Sequence, residues 1–365
     1  MPNWTARDTS NYSDEEYQTY SLHGVSRTFA LTIPQLPDPL RLPVGNAYLL
    51  CRITDTIEDV ASLSIETKEK FAAQFVQAVK GDNYHGDKRD SSCDSSCDNN
   101  HYNIGEDFAA SFSRELGDEV EEAERDLIKN TARALRLTHG FSKPQRQAIE
   151  RCVEEMATGM LKFQKQQSLN GLSDLNELNE YCYYVAGVVG VMLTELFCDY
   201  SPEMYKHREQ MLELAVSFGQ GLQMTNILKD IWEDQARGAC WLPQDIFVNC
   251  QFDLKDIADH KNDECYQLGL EKLIAIARKH LHNAMEYTLL VPVKEKGIRR
   301  FCIWAIGMAL LTLRNINRQK NFNNGQAVKI SRRNVKWTIL VTEFIVTSNQ
   351  RSRWMFRQLE KSLPR

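Results

Sequence analysis

The chain has 365 residues, 42% of them hydrophobic and 25% charged, with a net charge of −5. Such a composition excludes a disordered or fibrous chain and supports a large buried core. The mildly acidic balance argues against a nucleic-acid binder, which usually carries a basic domain. An anionic small ligand would have to be met by bound cations and a few Arg or Lys.

Positions 1–18 lack the basic-then-apolar pattern of a secretion signal. The longest strongly apolar stretches, 305–313 and 337–346, fall short of the roughly 20 residues a spanning helix needs. The chain is therefore expected to be cytoplasmic and not to cross a membrane. Its ten Cys form no compact framework and are expected as reduced thiols. Cys93 and Cys97 lie in a low-complexity Asp/Ser run. With no second Cys pair, that run reads as a loop rather than a zinc site.

Helical periodicity dominates along the chain. Ser13 followed by Asp14, Glu15 and Glu16 reads as a capped helix start. Positions 31–43 hold four Pro and break helix repeatedly. Helices are predicted at 44–60 and 65–80, then a polar excursion at 81–105. Further helices are predicted at 107–137 with a break near Gly117, and at 143–168, 174–197 and 202–236. After Leu242-Pro243 come 263–290, 294–319, 331–346 and a tail helix. The fold class is all-α: a single helical domain over 1–348 with an enclosed central cavity, 81–105 as a flexible insertion, and 349–365 as a short basic tail helix.

Two acidic motifs carry the chemistry. Asp55 and Asp59 are four apart, so a helix sets them on one face where they repel unless a cation bridges them. Asn226, Asp230 and Asp234 repeat the spacing as three oxygen donors. Mg²⁺ takes one or two carboxylates and completes its shell with water and phosphate oxygens. An acid pair at this spacing is commonly a solvated face. The apolar flanks 47–51 and 221–225 argue for the core instead, where unpaired carboxylates are costly. Patterning alone leaves both readings open.

Around these motifs stand Ser26-Arg27-Thr28-Phe29, Tyr48 to Asp59, Tyr181-Cys182-Tyr183-Tyr184-Val185-Ala186-Gly187 and Gln223 to Asp234. In order and spacing they resemble the squalene/phytoene synthase family over about 20–335. The Asp-Thr-Ile-Glu-Asp form, Phe301-Cys302 and Gly325-Gln326-Ala327-Val328 are similar to the squalene branch, while Trp241-Leu242-Pro243 leans toward the phytoene branch.

The resemblance implies a class I isoprenoid synthase fold and a Mg²⁺-dependent farnesyl-diphosphate farnesyltransferase. Two farnesyl diphosphates would join head to head through presqualene diphosphate, and NADPH would reduce the product to squalene. Alternatives are a phytoene or dehydrosqualene synthase without the hydride step, a presqualene diphosphate synthase, and a non-enzymatic assembly factor of the same fold. The resemblance assigns the metals to Asp55, Asp59, Asn226, Asp230 and Asp234, and the chemistry to these aspartates with Tyr48, Arg52 and Tyr181. Substrate contacts fall to Ser26, Arg27, Thr28, Phe29, Gln223, Asn226, Lys229, Arg237 and Phe301, and nicotinamide contacts to Gln326 and Arg332. Two departures stand out: Ala239 replaces a basic residue, and Asn323 and Asn324 replace basic residues before Gly325.

The C-terminal third is rich in Lys and Arg. It reads as a solvated face or as a patch attracted to an anionic membrane surface. Trp354, Met355 and Phe356 between arginines would suit a peripheral, interfacial helix.

Overall fold

The first helix, α1 (Asp14–Val25), begins at the predicted Ser cap. Ser13 Oγ accepts from the Glu16 amide, and the Glu16 carboxylate accepts from the Ser13 amide, a closed capping box. The computed structural model describes residues 4–26, 28–81, 97–248, 252–260 and 262–365. After α2 (Phe29–Thr32) and a 3₁₀ turn at Ile33–Gln35, α3 (Asp38–Asp59) starts earlier than the predicted 44. One Pro occupies its first turn, where no amide partner is required, and Pro43 forfeits a single ladder bond near the N-terminal end.

The chain continues through α4 (Ile65–Lys80), α5 (Cys97–Glu115), α6 (Glu122–Lys129), α7 (Thr131–Gly140) and α8 (Lys143–Gln164). The break near Gly117 is present. Residues 97–105, placed in the polar excursion by composition, are instead helical; 82–96, with Cys93, lie outside the described residues. Next come α9 (Leu175–Cys182), a π-helical turn at Tyr183–Gly187, α10 (Val188–Tyr200), α11 (Pro202–Tyr205), α12 (Arg208–Lys229) and α13 (Ile231–Ala236). The last elements are α14 (Ile257–His260), α15 (Glu264–Leu290), α16 (Lys296–Arg318), α17 (Gly325–Val328), α18 (Arg332–Ile345) and α19 (Asn349–Glu360). Among the described residues there is no strand, only an isolated bridge between Leu172 and Pro243. The all-α class is as predicted.

The residues gather into two compact units, one of Met1–Lys165 with Glu195–Tyr200, the other of Gln166–Thr194 with Ser201–Arg365. In the first, α3 packs on α1, α7 and α8 around Leu50, Ile53, Phe75, Leu127 and Ile149. Buried Asn46 donates to the Ala134 carbonyl and to Thr138 Oγ1 at 3.1 and 2.7 Å, so the polar group inside α3 is satisfied rather than orphaned. In the second, α12 lies along α15, and α16 supports α18 and α19. There the fully buried Arg299 donates to the carbonyls of Val291 and Val346 at 2.9 and 2.8 Å. Its guanidinium thus closes the ends of α15 and α18 together.

The helical run Leu175–Tyr200 is long and apolar enough to cross a membrane, contrary to the expectation that no stretch is. It fits a core helix: a Cβ on Gly190 would overlap the Ala215 carbonyl of α12, and Thr194 Oγ1 lies 3.0 Å from the Tyr287 hydroxyl. Cys51, Cys152, Cys182, Cys198, Cys240 and Cys302 are buried free thiols. Cys265 is disulfide-bonded, a departure from the reduced state predicted for every Cys.

Between α12 and α15, Ser217 Oγ is 2.8 Å from His280 Nδ1 and accepts from Asn283 at 2.9 Å. Burial, aided by neighbouring Lys279, pushes the His280 pKa down to about 4 from 6.5. Because the unfolded chain then binds more protons between these values, stability is full above about pH 6.5 and falls as pH drops toward 4. Thermal unfolding should show a loss of about 2 kcal/mol between about pH 7.5 and about pH 5 that is absent in His280→Gln. Equal pH slopes for both proteins would refute it.

Candidate active site

In the first unit one face of α3 carries four of the residues that the resemblance assigns to the site. Tyr48, Arg52, Asp55 and Asp59 follow at intervals of four, three and four residues, which keeps all four within a narrow stripe. The Arg52 guanidinium pairs with Glu124 of α6 and lies 3.7 Å from Asp55. Burial alone would lower the Arg52 pKa, but Asp55 and Glu124 outweigh it and hold the proton more tightly. The C-terminal end of α3 is closed by Lys68 Nζ and Gln164 Nε2, which donate to the Glu58 carbonyl at 2.5 and 2.8 Å. A cation and an amide at this end fix the turn that bears Asp59.

Asp55 keeps 29% of its side chain accessible yet is densely surrounded by protein. Burial first, then the charges of Asp59 and Glu124, raise its carboxyl pKa to about 7 against the pull of Arg52. The face thus holds more negative charge than its arginine balances. An all-oxygen set of this kind fits a hard divalent cation. Among the described residues no three His, Cys, Asp or Glu side chains converge into a closed cage. A pair of carboxylates is the number Mg²⁺ uses when water and phosphate oxygens complete its shell.

The Ser26 loop abuts the same stripe. Ser26 Oγ accepts from the Phe29 amide at 2.9 Å, and the Tyr48 hydroxyl donates to the Val25 carbonyl at 3.2 Å. The Phe29 and Tyr48 rings are 4.8 Å apart. Burial raises the Tyr48 pKa despite help to the phenolate from Ser26 and Arg52, so the phenol stays neutral. Thr28 is exposed; Arg27 lies outside the described residues.

In the second unit the predicted helix 202–236 breaks at Asp230. α12 ends there and α13 begins at once. The Asp230 amide still donates to the Asn226 carbonyl and the Asp234 amide to the Asp230 carbonyl, both at 2.9 Å. The four-residue repeat therefore survives the break, and Asn226, Asp230 and Asp234 stay one turn apart. Lys229 Nζ pairs with Asp230 at 2.9 Å. The half-buried Gln223 precedes Asn226 on the same face, and Arg237 is exposed. Ala239 is buried, its amide donating to the Asp234 carbonyl at 3.0 Å. Phe301 is buried in α16.

Tyr181 stacks flat on Trp241, ring centroids 4.2 Å apart and planes 9° from parallel. Trp241 is held by its neighbours: the Cys240 amide donates to Ser168 and the Leu172 amide to the Leu242 carbonyl, both at 2.9 Å. Gly171, at φ 83°, permits that close approach. The π-helical turn after Tyr181 reorients the following tyrosines within an otherwise helical run, a device frequent at functional sites.

Trp241, Glu124 and Glu233 were not legible as partners of the site. Glu124 sits in an acidic run with nothing to single it out. Glu233, which the helical wheel turns away from Asp234, accepts from the Gly325 amide at 2.9 Å. This draws Gly325–Val328 onto the second acid motif. A Cβ on Gly325 would stand 3.0 Å from Asp230 Oδ1 and 3.1 Å from both Glu233 Oε1 and the Lys229 carbonyl. Gly325→Ala is therefore expected to shift the Asp230 carboxylate, lowering turnover roughly 10- to 100-fold at a stability cost of about 1 kcal/mol. Steady-state kinetics beside a thermal melt will check it; unchanged turnover would show that Asp230 is not displaced.

Gln326 is exposed and accepts from Lys329 at 3.5 Å. The Asn324 side chain accepts from the Ala327 amide at 3.0 Å, and its own amide donates to Asn323 at 2.8 Å. The side chain of Arg332 lies outside the described residues. Away from all these residues, a cavity of about 710 Å³ lies between α4 and α8.

The chain is 27% identical over 317 residues to a squalene synthase of Eremothecium gossypii, covering 86% of this chain and 64% of that protein. It is 29% identical over 301 residues to squalene synthase 1 of Arabidopsis thaliana, covering 80% and 64%. The chain thus spans a little under two thirds of the length of these curated relatives. Among solved structures, the complex of TcSQS with the ligand BPH1237 superposes with a TM-score of 0.72 at 23% identity, over 96% of this chain and 91% of that one. A dehydrosqualene synthase gives 0.60 at 19% identity, over 91% and 95%. Both likenesses concern the fold. Residues 22–334 match the family described as squalene/phytoene synthase, and the chain belongs to that family.

Proposed function

We propose that this chain couples two molecules of farnesyl diphosphate head to head and, as its complete reaction, forms squalene. The observation that carries the reading is the α3 stripe, where Tyr48, Arg52, Asp55 and Asp59 share one face with an excess of negative charge. Such a face serves little purpose in a solvated helix and suits a diphosphate brought in with its counter-cations.

Mg²⁺ held by Asp55 and Asp59, and by Asn226, Asp230 and Asp234, would supply the positive charge that stabilises a departing diphosphate. The chain's own groups do the rest. When the C1–O bond of the first farnesyl unit breaks, the electron pair leaves with the diphosphate and an allylic cation remains. Arg52 and Lys229 offer donors to phosphate oxygens, while Arg52 stays oriented by Glu124 and Asp55. The stacked Tyr181 and Trp241 rings offer a π face to the cation. The second farnesyl double bond attacks the cationic carbon, and ring closure releases a proton to give presqualene diphosphate. Tyr48, kept neutral by burial, orients the Ser26 loop through Val25.

The further conversion to squalene requires a hydride from NADPH. Asn323 and Asn324 do not fit that cofactor's phosphates: they bring no positive charge and are engaged with each other and with the Ala327 amide. The same asparagines, with buried Ala239, favour presqualene diphosphate as the end product as a second reading.

Incubation of the purified protein with farnesyl diphosphate and Mg²⁺, with and without NADPH, separates the readings. Squalene formed only with NADPH supports the full reaction. Presqualene diphosphate accumulating under both conditions supports the second reading. Dehydrosqualene regardless of NADPH, or turnover of geranylgeranyl diphosphate alone, would assign the chain to another branch.

A further inference from the structure

Helix α18 is amphipathic in the wrong sense for a surface helix. Thr342 and Ile345 of α18 face inward, and Ile345 joins Ile303, Val346 and Met355 in one apolar cluster. The opposite face, which solvent should claim, carries Trp337, Leu340 and Phe344, exposed by 62%, 61% and 72%. At intervals of three and four residues these form one stripe. Exposed Arg333 lies one turn before Trp337 on the same line. At the other end Arg351 Nη1 donates to the Phe344 carbonyl at 3.2 Å. Trp354 of the adjoining α19 is also 61% exposed.

The charge is segregated with this stripe. Positions 329–365 hold nine Lys or Arg against two Glu, in a chain whose net charge is −5. The stripe is no frayed end, because Arg299 locks the Val346 carbonyl beyond α18 to the Val291 carbonyl beyond α15. Met355 and Phe356, expected beside Trp354 on an interfacial face, are buried. The outward apolar surface belongs to α18 instead.

We infer that α18 is a membrane-docking surface that lays Trp337, Leu340 and Phe344 into the interfacial zone of an anionic bilayer, with Arg333, Lys336 and Arg351 at the phosphate level. Tryptophan and phenylalanine flanked by cations match the headgroup–acyl boundary. Cations held near an anionic leaflet are drawn to it electrostatically. A nucleic acid would be served by the cations and by a stacking ring, but gains little from Leu340 and a continuous apolar line.

The test is co-sedimentation of the full chain with phosphatidylcholine vesicles containing about 30% phosphatidylserine, and with phosphatidylcholine alone. The wild-type chain should pellet with the anionic vesicles and be released by about 0.5 M salt. A Trp337→Ser/Phe344→Ser variant with an unchanged thermal midpoint should partition about tenfold less or worse. Arg333→Glu/Arg351→Glu should lose the preference for phosphatidylserine. The inference fails if wild-type protein stays in the supernatant, or if the serine variant binds vesicles as well as wild type. It also fails if gel filtration shows that the variant converts a dimer to a monomer, or if single-stranded RNA retains the chain in preference to anionic vesicles. These readouts are independent of turnover, so they stand or fall separately from the reaction proposed above.

Discussion

Asp230→Asn should lower turnover of farnesyl diphosphate by about 10³-fold or more while leaving the fold intact. Removal of a single group that stabilises developing charge costs a comparable factor in other enzymes, and in the proposed reaction the charge in question is that of a departing diphosphate. Asp230 stands at the junction of α12 and α13, with its amide bonded to Asn226 and its carbonyl to the Asp234 amide. Asparagine keeps those backbone bonds and the side-chain shape, and loses only the negative charge and its pairing with Lys229. The side chain is 37% exposed, so the stability change should stay within about 0.5 kcal/mol. The decisive measurement pairs initial rates with a thermal melt. A variant within tenfold of wild type would mean that the second acid motif does not take part in ionisation, and would strengthen the case for an assembly factor of this fold.

Gly219→Ala is expected to have the largest effect on the protein itself. A Cβ there would overlap the Ala186 carbonyl and the Gly187 amide nitrogen. These are backbone atoms of the π-helical turn and cannot rotate aside. Overpacking usually costs 1–3 kcal/mol, occasionally more, and a backbone obstacle places this site at about 3 kcal/mol. The turn begins two residues after Tyr181, so α12 should push the stacked Tyr181–Trp241 pair out of register, visible as lost near-ultraviolet dichroism. Gly140→Ala is the control, because nothing lies within 4 Å of the added methyl; it should melt like wild type or slightly higher. Equal melting of the two variants would show that α12 and the π turn have slack between them.

Much of the architecture was legible because helices announce themselves locally. Ser13 with Glu16, Ser64 before α4 and Ser142 before α8 are caps whose partners lie three residues away. The positions 65–80 match α4 to the residue. Failures occurred where a local rule met a distant partner. Composition treated 97–105 as excursion, yet Gly105 of α5 packs closely on Leu135 of α7. The 202–236 helix reads as continuous, and only the conformation at Asp230 shows its break.

The acid motifs that first suggested chemistry illustrate the same division. Which residues share a helical face is written in the chain alone, because a period of 3.6 places Tyr48, Arg52, Asp55 and Asp59 in one line whatever surrounds them. The fold class is written there for the same reason, and the family in the order of its motifs. What those faces meet came from the packing of the helices: Glu124 against Arg52, Trp241 beneath Tyr181, the Gly325 amide on Glu233, and solvent over Trp337, Leu340 and Phe344. Periodicity is a property of adjacent residues and is written in their spacing. Burial, pairing and the raised pKa of Asp55 depend on side chains far apart in the chain, and those distances exist only once the helices have packed.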